Sequence, residues 1–336
     1  MTPEIHHEIF HAEASATAPE QFAGVLQSIA HAAPGMRPVF ARFFVSDVAN
    51  QHELLQRGPL PDCPLSVIEQ APLDGSKVAA LVFFEGERTE PSPLQHVYTG
   101  NVAHVATSQV ATEAILRTYA TEFSLSNECA RTWFFVNDID NNYAGLVLGR
   151  NNIFATAGLT PKTHFIASTG IAGRSLDPHA PVTFNAYAIR GLKAEQVRYL
   201  KAASHMNPTA EYGVAFERGT AIDFADRRLA LVSGTASIDN KGNVVHCGDI
   251  AAQTDRMLEN VAVLLAEADM TFQQLMHVIV YLRDPADYRV VSCIMAERLP
   301  QVPMVIVHAP VCRPGWLIEM ECMALAPIHR PELPTY

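Results

Sequence analysis

Two carboxylates, Glu319 and Glu321, lie two residues apart in an apolar segment near the end of the chain. Residues 317–325 alternate between apolar and other side chains, which predicts a β-strand. Residues i and i+2 of a strand share a face, so the two carboxyl groups lie side by side. Such a face is either solvated, or it holds a carboxyl group whose pKa rises until it keeps a proton near neutral pH. The segment therefore predicts a candidate general acid, with a solvated strand as the structural alternative.

The composition of the chain limits its size class, its binding partners and its cellular compartment. The chain has 336 residues, of which 49% are hydrophobic and 18% charged, enough for two cored domains or one large one. Its net charge is −11, and no basic run is interleaved with aromatic residues, so nucleic acid is excluded as a partner. An anionic small molecule would need a local cluster of arginines. The six cysteines form no C-x-x-C pair, which favours a reduced, cytoplasmic protein. We expect no signal peptide and no membrane helix.

The middle of the chain repeats the pattern of its end, which sets the domain organisation. Each copy has a segment of helical periodicity, then a strand, then a closing strand: residues 111–125, 132–138 and 182–189 in one copy, and 253–267, 277–284 and 318–325 in the other. We therefore predict an α+β fold of two tandem units, each a mixed β-sheet with two helices packed on one face. The domains are residues 1–220, with extra N-terminal strands near 38–48 and 77–85, and residues 221–336. Thr183 and Asn185 stand in the first closing strand where the second has its glutamates, so the strand does not need acids to fold.

The C-terminal copy resembles the RidA/YjgF family of small imine deaminases. The resemblance rests on Ser233-Gly234-Thr235, Asn260, Tyr281-Leu282-Arg283-Asp284, Val302-Pro303 and Ile318-Glu319-Met320-Glu321. It implies the fold of that family, two copies of it in this chain. The family's imine-binding arginine corresponds to Val305, and a valine cannot pair with a substrate carboxylate. Deamination of this type is therefore the disfavoured alternative.

Other motifs resemble a second branch on the same fold, the chorismatases of the hydroxybenzoate-forming type. The matching stretches are Asn141-Asn142-Tyr143 with Gly149-Arg150-Asn151, residues 167–173, Glu211-Tyr212-Gly213 with Phe216-Glu217-Arg218, and Cys312-Arg313-Pro314 seven residues before Glu319. This resemblance implies an enzyme that converts chorismate into pyruvate and 3-hydroxybenzoate, with 4-hydroxybenzoate as a possible further product. Loss of pyruvate from chorismate needs no redox cofactor, and we expect neither a pteridine nor a metal, because no residue pattern in the sequence requires one.

The resemblance also implies roles for individual residues. Chorismate carries two carboxylates and an enol ether, so its cleavage needs a proton donor and cations. Glu319 is assigned as the proton donor that protonates the enol ether, and Glu321 is the alternative on the same face. Arg150 and Arg218 are assigned to the substrate carboxylates, because a guanidinium binds a carboxylate in a bidentate manner. Arg313 lies near Glu319 in sequence but could serve only to cap a loop.

Cys312 is the residue whose type bears on the product. In the family, a cysteine at this place is typical of the 3-hydroxybenzoate-forming type, and the alternative is a buried thiol that acts as a small hydrophobic group. The ratio of 3- to 4-hydroxybenzoate stays open. Such products feed the biosynthesis of ubiquinone and of aryl pigments, which is an inference from the family alone.

Smaller residues complete the predicted pocket. Tyr212 could donate a hydrogen bond or be structural, and Gly234 and Ala236 are assigned to the pocket wall. Gly170, together with Gly173, could let the backbone bind a carboxylate as an anion nest, with two turn glycines as the alternative. A non-catalytic binding protein is a further alternative for the whole chain, since the fold alone does not determine function.

Two metal-binding patterns and the assembly state remain. Residues 138–149 begin like a calcium loop but lack glycine at the sixth place and a carboxylate at the twelfth. His6, His7 and His11 could chelate a metal, although a solvated terminal segment is the better interpretation.

Single-unit relatives assemble as trimers, so a chain with two units is expected to be a monomer or a homotrimer.

Overall fold

The computed structural model describes residues 3–89 and 91–336; the first two residues and Glu90 of the predicted N-terminal domain lie outside the described residues. Three β-sheets run through these residues, two with four strands and one with six. Their helices and strands follow one another as three successive sets along the chain. We refer to these sets as the first, second and third units.

The first unit pairs its strands in the order β1-β4-β2-β3. Its elements are β1 (Ile5–His11), α1 (Ala18–His31), β2 (Met36–Val45), α2 (Val48–Gln56), β3 (Leu65–Glu69) and β4 (Val78–Gly86). Helix α1 begins with a capping box, in which the Glu20 carboxylate accepts the Thr17 backbone N–H at 2.8 Å.

The second unit repeats this arrangement with the strand order β5-β8-β6-β7. It consists of β5 (Gln95–Ala103), α3 (Ser108–Ala120), β6 (Cys129–Val136), α4 (Ile139–Thr156), β7 (Ala167–Ala172) and β8 (Val182–Arg190). Helices α3 and α4 pack closely because Gly149 has no side chain: a Cβ there would lie 2.6 Å from the Gln109 carbonyl oxygen. This close packing fixes the face of α4 that carries Arg150.

The third unit has the order β13-β12-β14-β11 and adds two strands, β10 and β9, beside β11. Its elements are β9 (Val197–Leu200), β10 (Gly219–Asp223), β11 (Arg227–Ala236), α5 (Ile250–Glu267), β12 (Leu275–Leu282), α6 (Tyr288–Arg298), β13 (Met304–His308) and β14 (Ile318–Pro327). Asp249 caps α5 by accepting the backbone N–H of Ala252 at 3.0 Å. The α+β fold with mixed sheets is confirmed, and the two predicted units are the second and third.

All three units share one topology, down to the position of an irregularity. Strands β2, β6 and β12 each have a register shift against the closing strand of their unit, just before Phe40, Arg131 and His277 respectively. Counting from this shift, Glu319 in β14 corresponds to Thr183 in β8 and to Ala79 in β4. The strands predicted before residue 90 are therefore present, but they form a separate sheet of the same topology and add nothing to the second unit's sheet.

The inner faces of the sheets meet in a shared aromatic and aliphatic core. Phe40 stacks on Trp133 with ring centroids 6.3 Å apart, and it also contacts Tyr98 at 5.4 Å. Side chains of this core come from all three sheets. Within the residues that the structure describes, no helix is long and apolar enough to cross a membrane.

Candidate active site

A cavity of about 490 Å³, including its opening to solvent, lies between the second and third units. One wall comes from α4 and β7, and the other from β11, β14 and the segments that precede β10 and β14. The eight residues that the sequence assigned to a site all line it: Arg150, Gly170, Tyr212, Arg218, Gly234, Ala236, Cys312 and Glu319. They come from positions 150 to 319 of the chain, and the fold brings them together.

Glu319 is buried, with 6% of its surface exposed, and its side chain faces the cavity. Burial and the neighbouring charge of Glu321 raise its pKa to about 8, against the opposing effect of Arg131 and Arg218. Within residues 3–89 and 91–336, no side chain forms a hydrogen bond with its carboxyl group. At neutral pH this group therefore carries a proton that it can donate.

Gly234 on β11 makes room for this carboxyl group. A Cβ at position 234 would overlap Glu319 Oε1 and would lie 2.8 Å from its Cδ. Any side chain larger than hydrogen would therefore displace the Glu319 carboxyl group. The predicted placement of Gly234 in the pocket wall thus has a specific steric reason.

Glu321, the alternative proton donor, is buried but does not line the cavity. Its carboxylate accepts hydrogen bonds from Arg131 Nη2 at 2.8 Å, from Trp133 Nε1 at 2.9 Å and from the Thr169 hydroxyl. Arg42 Nη1 lies 3.4 Å away. Burial alone would raise the pKa of Glu321, but Arg131 and Arg42 and these hydrogen bonds hold it below its ordinary value. Glu321 is therefore ionised, and the geometry favours Glu319 as the donor.

Arg150 on α4 is 1% exposed and points into the cavity. Its guanidinium lies about 6 Å from the ring centroids of Phe134 and Phe216 (6.0 and 5.9 Å), and it contacts Tyr143. Its Nε and Nη2 atoms have no hydrogen-bond partner among the described residues. A buried guanidinium without a carboxylate is unfavourable, which points to an anionic ligand at this place.

Arg218 lies on the same cavity, fixed by its Nη2, which donates to the Asn207 carbonyl oxygen at 3.0 Å. Its Nε atom is buried and has no partner among the residues described here. The Tyr212 ring lies between two guanidinium groups, 5.4 Å from that of Arg218 and 4.9 Å from that of Arg313. Arg313 also lies 5.3 Å from the Trp316 ring, so it is part of the cavity wall and more than a loop cap.

Cys312 and Tyr143 lie side by side in the wall. Burial and the Glu319 charge raise the pKa of Cys312 to about 12. The residue is therefore a neutral thiol at physiological pH and no thiolate nucleophile. Burial also raises the pKa of Tyr143 and of Tyr212, so both hydroxyl groups keep their protons and can donate hydrogen bonds.

The anion nest predicted from Gly170 and Gly173 is absent. Neither glycine is among the residues of positive φ in the described chain, and a nest needs one residue in the left-handed region. Gly170 lines the cavity, where a Cβ would lie 3.3 Å from Tyr143 Cε2. Gly173 packs instead against Ile68 and Phe135, outside the cavity. Positive charge in the cavity comes from arginine side chains and not from the backbone.

Two further sequence patterns have structural explanations. Residues 138–149 begin like a calcium loop, but Asp138 is the N-cap of α4 and residues 139–149 lie within that helix. Val305, which stands where the deaminases have their imine-binding arginine, is 1% exposed on β13 and does not line the cavity. This position therefore contributes no positive charge to the cavity. Sequence reasoning missed the role of Tyr143, Phe216 and Trp316 in the wall, although the first two lie within the motifs that carried the resemblance.

Comparison with known proteins identifies relatives of the third unit. The profile of the endoribonuclease L-PSP family matches residues 216–326. The 3-aminoacrylate deaminase RutC of Acinetobacter baylyi is 33% identical over 98 residues, which are 29% of this chain and 78% of RutC. The chain belongs to the endoribonuclease L-PSP family. The matched residues contain β10 to β14, so the RidA/YjgF resemblance of the C-terminal copy is confirmed.

A second relative extends further along the chain. A chorismatase of Streptomyces rapamycinicus is 29% identical over an alignment of 217 positions, which covers 57% of this chain and 62% of that protein. A crystal structure of a chorismatase matches with a TM-score of 0.68 over 96% of this chain and 98% of that one, at 18% identity. This family member is therefore a homologue of the chorismatases and shares their fold over nearly its whole length.

Proposed function

We propose that this protein is an enzyme that cleaves chorismate into pyruvate and 3-hydroxybenzoate, with 4-hydroxybenzoate as a second product. One observation carries the proposal: a carboxylic acid that is protonated at neutral pH faces a cavity that also contains three arginines. Homology to the chorismatases supports the same substrate.

The charge of the cavity suits a dianion. With Glu319 protonated, Arg150, Arg218 and Arg313 leave the wall strongly positive, although the whole chain carries a net charge of −11. Arg150 and Arg218 both have an unpartnered Nε atom among the described residues, and this atom can donate to a carboxylate oxygen. We assign one substrate carboxylate to each, with Tyr212 and Tyr143 as further donors.

The proposed reaction needs one proton and no redox step. Glu319 delivers its proton to the methylene carbon of the enol ether, which turns the enolpyruvyl group into a better leaving group. The 4-hydroxyl oxygen displaces this group at C3 as pyruvate departs. Opening of the resulting epoxide and loss of a ring proton then give the aromatic product. The proton lost from the substrate restores the acid, so atoms and charge balance without water.

The fate of the oxygen decides the product. Opening of the epoxide at C4 leaves the oxygen on C3 and gives 3-hydroxybenzoate, whereas opening at C3 gives 4-hydroxybenzoate. Cys312 borders the cavity as a neutral thiol beside Glu319, which suits a role in shaping the ring's surroundings and does not suit nucleophilic attack. We assign Cys312 to product selection.

We further propose that the protein acts in the cytoplasm, where it supplies hydroxybenzoates for the synthesis of quinones or pigments.

The three units in one chain bear on assembly. The family resemblance implies that single-unit relatives form trimers, and here three sheets of one topology already pack around a shared core. This arrangement supports the monomer over the homotrimer. Sedimentation equilibrium distinguishes the two masses directly.

The test is incubation of the purified protein with chorismate, coupled to lactate dehydrogenase for pyruvate and followed by chromatography of the aromatic acids. The matched control is Glu319→Gln, which keeps size and loses the acid. We expect stoichiometric pyruvate and hydroxybenzoate from the natural protein only. Equal pyruvate from both proteins would remove Glu319 as the acid, and no pyruvate from either would remove chorismate as the substrate. Ammonia release from 2-iminobutyrate would favour the deaminase alternative.

A further inference from the structure

We propose that Thr169 and Glu321 are positioning residues that hold the acid Glu319 in place across the boundary between the second and third units. This inference deepens the proposed function and rests on it. Neither residue lines the cavity, so neither touches the substrate. They act through Gly234, the residue against which the Glu319 carboxyl group lies.

The Thr169 hydroxyl is the centre of the arrangement. Its oxygen accepts hydrogen bonds from Arg131 Nη2 at 2.6 Å and from the Gly234 backbone N–H at 3.0 Å. Both lone pairs of the hydroxyl oxygen are therefore in use, and its own proton can only be donated. It donates this proton to Glu321 Oε2. The direction of this hydrogen bond is thus fixed by its neighbours.

Glu321 acts only as a hydrogen-bond acceptor. Arg131, Trp133 and Thr169 all donate hydrogen bonds to its two oxygens. A protonated Glu321 would find no acceptor for its own proton among these three groups, so the carboxylate form is favoured. Its negative charge in turn holds the Thr169 hydroxyl in one orientation. The Thr169 oxygen then holds the N–H of Gly234, and so the position of β11 at its register shift between Val232 and Thr235.

A second link fixes the same part of β11. Ser233 Oγ accepts from the Ser168 backbone N–H at 2.9 Å and from Arg131 Nη1 at 3.1 Å, and it donates to the Glu217 carbonyl oxygen at 2.6 Å. Residues 168 and 169 of β7 thus hold residues 233 and 234 of β11 by side-chain bonds. Because Gly234 has no side chain, the Glu319 carboxyl group rests on backbone whose position these bonds determine.

Several charged or titratable groups surround Glu319 or share its cavity, and they come from several neighbouring elements. They are Glu321 on its own strand, Arg131 on β6, Tyr281 on β12, Arg150 and Tyr143 on α4, and Arg218, Tyr212, Cys312 and Arg313 on the connecting segments. A change at position 169 removes no charged group, although it removes one hydrogen bond to Glu321 and one from Arg131. Thr169→Val therefore keeps every charge of the cavity wall, and Glu321 retains its hydrogen bonds from Arg131 and Trp133.

The test compares Thr169→Val, which keeps the shape and loses the hydroxyl, with Thr169→Ser, which keeps the hydroxyl. For Thr169→Val we expect kcat on chorismate to fall at least about tenfold with KM changed less than about twofold, since a small misplacement of a reacting group is costly. Thr169→Ser should retain kcat within about threefold. A loss that serine does not rescue, or an equal rise in KM, would overturn the positioning role.

A second measurement does not depend on turnover. Infrared difference spectra between acid and alkaline pH contain a carboxylic acid C=O band, which Glu319→Gln removes and so identifies. We expect this band to titrate near pH 8 in the natural protein and about one pH unit lower in Thr169→Val, because the carboxyl group becomes less well buried. An unchanged midpoint would refute the positioning role even if the protein proves inactive on chorismate. A lower midpoint in an inactive protein would retain the positioning role and reject only the proposed substrate.

Discussion

Replacement of Glu319 by glutamine should make the protein more stable, and increasingly so as pH rises. A buried carboxyl group with a pKa of about 8 keeps its proton in the folded state, whereas the unfolded chain releases it near the ordinary value of 4.5. Between these two values the folded state binds more protons than the unfolded one. The free energy of unfolding of the natural protein therefore falls as pH rises through this window, and glutamine, which has no proton to lose, is free of this loss.

The size of the effect follows from the two pKa values. One unit of pKa difference corresponds to about 1.4 kcal/mol, so the 3.5 units between 4.5 and about 8 give a limit of about 5 kcal/mol above pH 8. At pH 7 the expected advantage of Glu319→Gln is about 3 kcal/mol, and near pH 4.5 it vanishes. In a chain of 336 residues, Tm would rise by on the order of 1–2 °C per kcal/mol.

The assay is urea unfolding of the natural protein and of Glu319→Gln at several pH values between about 4.5 and 8.5. The control is Glu321→Gln, for which the opposite sign is expected at every pH in this range. Removing that carboxylate leaves Arg131 and Arg42 buried without their partner, at a cost of about 3–5 kcal/mol. Parallel stability curves for the natural protein and Glu319→Gln would refute a buried, protonated Glu319.

Three further predictions concern activity. Because Glu319 must be protonated to act, kcat should be level below about pH 8 and fall about tenfold per pH unit above it, which a pH–rate profile checks. Arg150→Met should raise KM for chorismate by about a hundredfold without lowering Tm, because it removes a buried cation that has no carboxylate partner. The control is Arg117→Met, which removes an exposed arginine that pairs with Glu113 and should change neither KM nor Tm. Gly234→Ala should lower kcat at least about tenfold by displacing the acid, whereas an alanine at Gly24, where a Cβ meets nothing within 4 Å, should leave kcat unchanged.

The sequence predicted the second and third units because their closing strands contain polar residues that mark a face. In β8 and β14 the pairs Thr183 with Asn185 and Glu319 with Glu321 interrupt the apolar residues at period two. In β4, every residue from Val78 to Glu85 is buried and the first seven are apolar, so no alternation remains to mark a face. The topology of the first unit was therefore not recognisable, although its strands were.

The cavity residues were predictable through short motifs, but the partners of Glu321 were not. Arg42 and Arg131 lie 279 and 190 residues away from it along the chain. No periodicity relates positions on different units, and an arginine in an apolar strand does not reveal which carboxylate it will meet. The choice between Glu319 and Glu321 therefore required the fold, since it depends on which of the two neighbouring acids these cations reach.

The covalent joining of three like units lets each boundary between them evolve separately. In a ring of identical subunits, one substitution alters all boundaries at once, so a catalytic acid and a well-packed joint compete for the same position. Here the corresponding positions hold Ala79, Thr183 and Glu319, and Asn185 bonds across to Ser66 of the first unit at 2.5 Å. One boundary can retain an unfavourable buried acid while the others supply rigidity. Titration calorimetry should accordingly give one ligand bound per chain, where a symmetric ring would bind three.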